Sequence, residues 1–115
     1  MRRDQQRLLD MLEAPLDSVA NMVARRNESG FIADETLCYA VAQRLTVVGE
    51  AASRVGAELR ERYSSIPWAD IVALRNILVH QYFGIHWPLV WQTATDHAPM
   101  LRHQIAEILR LEFPE

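Results

Sequence analysis

Lysine is absent from this chain: its twelve positive charges are all arginines, set against fifteen carboxylates for a net charge of -3. That balance excludes a broad, sequence-blind nucleic-acid binder, which carries a basic face and a high pI. Any nucleic-acid contact is expected to be local, made by a few arginines in a cleft. Cysteine is nearly absent too. The single Cys38 cannot form an internal disulfide, and without a Cys-x-x-Cys pair there is no zinc framework. Long apolar runs are missing, all falling well short of the ~18–20 residues that span a bilayer. Arg2, Arg3, Asp4 and Arg7 precede Leu8 with no apolar stretch of the export-signal kind. The expectation is a soluble, cytoplasmic protein with no membrane partner. No alternating strand pattern, internal repeat or low-complexity tract occurs.

What is present is apolar and helical. Half of the 115 residues are hydrophobic, which excludes disorder and fits one domain over residues 1–115, short enough for oligomerisation. Leu8, Leu12, Leu16, Val19 and Val23 step along one helix face, with a kink expected at Pro15. Asn27-Glu28-Ser29-Gly30 is loop chemistry. Asp34 is the expected N-cap of a second helix, with Glu35 in its first turn. Leu37, Val41, Leu45, Val48, Ala52, Val55 and Leu59 extend that helix for six turns or more, with Gly49 and Gly56 inside it. A mid-helix glycine costs about 1 kcal/mol against alanine, so close approach of a neighbouring helix is expected there. Ser64 or Ser65 should cap a third helix that has Pro67 in its first turn and ends near Gly84. A fourth helix runs from about Trp87 through Ile108, with a bend at Pro99. The prediction is an all-α, antiparallel up-and-down bundle of four to five helices.

Within the third helix lies the densest chemistry in the chain: Arg75-Asn76-x3-His80-x-Tyr82. An arginine to hold a phosphate and a histidine to move a proton are the minimum for cutting RNA without a metal. Arg75 and Tyr82 are seven apart and share a face, whereas Arg75 and His80 lie roughly 140° apart round a regular helix. One straight helix therefore does not aim both at a single phosphate. Either the arginine wraps round, or the helix bends, or a second copy completes the site across a symmetric interface. Taken singly, each residue has an ordinary structural reading: Arg75 pairs with a carboxylate, His80 caps a carbonyl, Tyr82 fills a gap.

The set, however, is more specific. Together with Ile66-Pro67-Trp68 and Val48-Gly49-Glu50-Ala51 before it and Trp91 after it, the motif resembles the HepT toxins of the HEPN superfamily. The likeness covers about Leu8 to Leu109. It departs from the family pattern at His86, where an acidic residue is expected after the Tyr-Phe-Gly step.

The resemblance implies a HEPN-like helical bundle that forms a homodimer with the motif at the interface. It implies metal-independent RNA cleavage with Arg75 and His80 catalytic and Asn76 and Tyr82 supporting. The products would be a 2′,3′-cyclic phosphate and a 5′-hydroxyl end, with no cofactor and no DNA substrate. It also implies a cognate minimal nucleotidyltransferase antitoxin, of the MntA kind, that silences the toxin by AMPylation of Tyr82. A bulky anionic adduct two residues from His80 would occlude and repel RNA. The alternative is a non-catalytic HEPN module that binds a nucleotide or a partner.

The remaining candidates carry less. His86, His97 and His103 are spaced six and eleven apart, and no pair sits at the i, i+4 spacing of a helical zinc site, so no metal is expected. Trp87 and Trp91 share a face and read as packing before they read as a base-stacking platform. Glu50 is either a solvated or Arg-paired carboxylate or a buried partner of Arg75 or His80. Arg25-Arg26 reads first as a helix-end dipole interaction and second as a phosphate contact.

Overall fold

The structure, a computed structural model, describes residues 2–114; the side chains of Arg2, Glu13 and Tyr82 lie outside the described part. Six helices account for the fold, and among the described residues there is no strand. The first, α1, spans residues 2–23 and changes register at its proline: Leu12–Leu16 is a π-helical turn between the α-helical stretches Arg2–Met11 and Asp17–Val23. A wider turn relieves the clash between the proline ring and the carbonyl four residues earlier. The expected kink at Pro15 thus takes the form of a π turn. Leu8, Met11, Leu16 and Val19 of this helix are fully buried.

The stretch expected to be loop contains a short helix, α2 (Glu28–Ala33), whose cap is the Asn27 carboxamide accepting from the Gly30 amide at 2.7 Å. Asp34 caps α3 (Glu35–Ser53) as expected, accepting from the Leu37 amide at 3.1 Å. The expected length of α3 was too great. It stops at Ser53, and Val55 and Leu59 belong to the break and to a separate short helix, α4 (Ala57–Arg62). Gly56 is the residue before α4, not an interior helix position. Its amide donates to the Asp4 carboxylate of α1 at 2.8 Å, a contact that anchors the break across the fold.

Helix α5 (Trp68–His80) carries the motif. Pro67, not a serine, occupies its N-cap position, and no side chain caps it. The Trp68 indole instead donates to the Tyr63 carbonyl at 3.1 Å, tying the helix start to the end of α4. α5 ends at His80, earlier than the expected Gly84, and Tyr82–Gly84 forms a 3-10 turn. The last helix, α6 (residues 87–112), contains a second π turn, Thr93–His97, just before Pro99.

Helix α3 is the centre of this all-α, up-and-down bundle, with α5 and α1 packed along it and α6 closing on α1. Its buried face, including Val41, Leu45, Val48 and Ala52, joins one hydrophobic cluster with residues of every helix. Full burial of a valine or leucine side chain among these is worth roughly 1.5–3 kcal/mol. Phe31 of α2 is completely buried, its ring 5.3 Å from that of Trp91 and 6.4 Å from that of Trp87. Trp87 also stands edge-on to Tyr39 at 5.1 Å. Both tryptophans are therefore packing residues. Among the described residues, no helix is long and apolar enough to cross a membrane.

Candidate functional site

The position of Arg75 follows from a missing side chain on the facing helix. Gly49 of α3 lies directly beneath it: a Cβ on Gly49 would overlap the Arg75 Cβ outright and stand 3.1 Å from the Ile71 carbonyl oxygen. The close approach expected at Gly49 is therefore real, and what approaches is the motif arginine. From that base the guanidinium reaches the next residue of α3. Arg75 Nη2 forms an ion pair with Glu50 Oε2 at 2.9 Å, and Arg75 Nη1 donates to Asn76 Oδ1 at 2.8 Å. Arg75 Nε is buried without a hydrogen-bond partner among the described residues. Glu50 is shared, because its Oε1 accepts from Arg54 Nη2 at 3.1 Å. Two guanidiniums on one carboxylate leave the trio with a single net positive charge.

His80 is placed differently. It is the last residue of α5, exposed, and its imidazole has no hydrogen bond or ion pair among the described residues. The helix is regular up to that point, so His80 leaves it about 140° round from Arg75. Within one chain the structure joins Arg75, Asn76 and Glu50, and it does not add His80 to them. Of the options left open by the spacing, α5 runs as unbroken α-helix from Trp68 to His80, and the Arg75 fork is engaged on the α3 side. The Tyr82 side chain lies outside the described residues; its neighbours Gln81 and Phe83 are exposed, Phe83 by 98%.

Of the two readings of Glu50, the structure shows an Arg-paired carboxylate that is also the partner of Arg75. It is not buried, being 41% exposed at the side chain. Arg54 is a member of the site outside the motif, and its i, i+4 spacing from Glu50 is the sequence signal that points to it. Arg26 pairs with Asp34 at 3.4 Å, as a residue near a helix end can. Among the described residues, no group of three or more His, Cys, Asp or Glu is gathered so as to hold a metal ion.

Beside His80 the surface is apolar. One turn before it, Ile77 is 39% exposed, and with Leu74 it faces Leu89 and Thr93 of α6 across a cleft of about 360 Å³. The same groove continues past His97 to Met100, itself 62% exposed.

An all-α HEPN-like bundle with an Arg-x4-His-x-Tyr segment at the end of one helix defines the class. Residues 12–108 match the family described as Ribonuclease HepT-like, and the chain belongs to that family. It is similar to a candidate RNase of Methanocaldococcus jannaschii, MJ1216, with 33% identity over 103 residues, covering 90% of this chain and 84% of that protein. A candidate RNase of Caldanaerobacter subterraneus, TTE0752, is 37% identical over 82 residues, or 71% of this chain and 73% of the other. A protein of Thermococcus cleftensis that carries the name Probable ribonuclease HepT is 22% identical over 108 residues, covering 94% and 98%. No solved structure matches.

Proposed function

We propose that this chain is a metal-independent endoribonuclease, the toxin of a toxin–antitoxin pair, working as a homodimer. The observation that carries this reading is the contrast between the two motif residues. Arg75 is held on the α3 side by Glu50 and Asn76, while His80 stands exposed and uncommitted at the end of the helix. In the reaction, the ribose 2′-oxygen attacks the adjacent phosphorus and the bond to the 5′-oxygen breaks, leaving a 2′,3′-cyclic phosphate and a 5′-hydroxyl. The 2′-OH proton passes to a base, and the leaving oxygen takes a proton from an acid; imidazole titrates close enough to neutrality for either task. Arg75 stabilises the charge that builds on the phosphorane oxygens. The apolar cleft one turn from His80 supports a symmetric pair, in which the partner's His80 would provide the second proton-transfer group.

Control falls to Tyr82. A nucleotidyltransferase antitoxin would join the tyrosine oxygen to the α-phosphorus of ATP, with pyrophosphate leaving. The exposure of Gln81 and Phe83 on either side supports access to that turn. The adduct would set a negative charge where RNA phosphates must lie.

The test is cleavage of RNA in EDTA by wild type and by His80→Ala at matched folded concentration. Because His80 is exposed, the substitution should change stability by no more than about 0.5 kcal/mol. Loss of the proton-transfer group should lower the rate by about a hundredfold or more. Cyclic-phosphate ends from wild type alone support the reading, and undiminished cutting by the variant refutes it. If neither protein cuts, and intact mass shows Tyr82 unmodified, the chain is a nucleotide- or partner-binding module.

A further inference from the structure

Glu50 is a residue to which neither the motif nor the comparisons give a task. It is the only carboxylate that the described contacts give to Arg75, and it lies on a different helix, next to the glycine that lets the arginine in. Three constraints converge on that one side chain. The absence of a Cβ at Gly49 sets where Arg75 Cβ sits, Glu50 Oε2 takes Nη2 at 2.9 Å, and Asn76 Oδ1 takes Nη1 at 2.8 Å. The buried Nε is enclosed beneath them. A guanidinium has five N–H groups in one plane, so constraints at both terminal nitrogens fix the direction of the fork and leave further hydrogens on those nitrogens for a ligand.

We propose that Glu50 is a positioning residue for RNA cleavage: it aims Arg75 at the phosphate without touching the substrate. This rests on the ribonuclease reading above. The electrostatics make the proposal separable from a plain structural role. Glu50 also pairs with Arg54, so neutralising it raises the net charge of the trio from one to two. RNA should then bind as well or better, because added positive charge favours a phosphate backbone. The rate of the chemical step should fall, because a misaimed donor loses what it gave only in the transition state.

The experiment compares wild type, Glu50→Gln and Glu50→Asp in single-turnover RNA cleavage, with kcat and KM resolved. Alongside it, the Nε–H proton NMR signal of Arg75, assigned by its loss in Arg75→Lys, reports whether the guanidinium is held. Glutamine keeps the volume of a side chain that is 41% exposed, so the thermal melt should stay in place. The expected result is a kcat about tenfold to a hundredfold lower in Glu50→Gln with KM unchanged or reduced. Partial recovery in Glu50→Asp and a protected Nε–H signal that survives in Glu50→Asp but is lost in Glu50→Gln belong to the same expectation. If Glu50→Gln cuts as fast as wild type, or if its whole effect is a raised KM, Glu50 does not position Arg75. Failure of the wild type to cut RNA would instead bring down the ribonuclease reading, and the role of Glu50 with it.

Discussion

At position 49 the fold needs a residue with no side chain, and the need comes from position 75. Alanine there has two opposed effects. It removes the roughly 1 kcal/mol that glycine costs inside a helix. It also drives a methyl into the Arg75 Cβ and against the Ile71 carbonyl, a contact that only a shift of α5 away from α3 can relieve. Overpacking of this kind costs about 1–3 kcal/mol, so the clash wins and Gly49→Ala should lower the melting temperature. It should lower RNA cleavage further than the loss of folded protein explains, since Arg75 moves with its helix. A variant as stable and as active as wild type would show that the two helices part without consequence. The glycine's purpose was legible from its cost in a helical stripe, and the identity of its neighbour was not. Spacing along one helix says which residues share a face, but which residue of another helix arrives there depends on the whole packing.

Among the elements, the ends of helices hold most of what the sequence hid. Asp34 was readable as a cap because capping is local, a side chain answering an amide three residues on. The end of α3 was not, because the apolar stripe runs on through Val55 and Leu59 in helical period, while the break is held by the Gly56 amide on Asp4, far away in the chain. The prolines announced irregularity at positions 15 and 99, but their choice of a π turn over a kink depends on packing. The end of α1 offers a test. Arg25 has a φ of 63°, the only positive φ among the described non-glycine residues, just past the last helical turn where glycine is the usual choice. The left-handed conformation costs an L-residue roughly 1–2 kcal/mol. Part of that is offset because glycine loses more chain entropy on folding. Arg25→Gly should therefore stabilise the protein by about 0.5–1 kcal/mol, seen as a melting temperature a few degrees higher. A lower melting temperature would mean that the Arg25 side chain does more for the fold than its backbone costs.

For the whole molecule, the question is how an acidic protein with no lysine acts on a polyanion. The net charge of -3 gives no general attraction to RNA, so affinity has to come from a few arginines brought close together. One copy supplies Arg75 on one side of α5 and His80 on another, and the face bearing Ile77, opposite Leu89, lies about 60° round the helix beyond His80. Docking two copies on that face would bring a second imidazole close to the first, while covering apolar surface that water now meets. If this is the arrangement, a charge in the cleft should separate the copies without unfolding either. Ile77 is 39% exposed and makes little of the core, so Ile77→Asp should leave the helical circular dichroism intact. In sedimentation equilibrium the variant should run as a monomer at concentrations where wild type is a dimer. Its RNA cleavage should fall with the dimer fraction, because an interfacial carboxylate against its own symmetry mate adds repulsion to the loss of apolar contact. A variant that stays dimeric and active would move the interface elsewhere, and the two sides of α5 would have to meet RNA within a single chain.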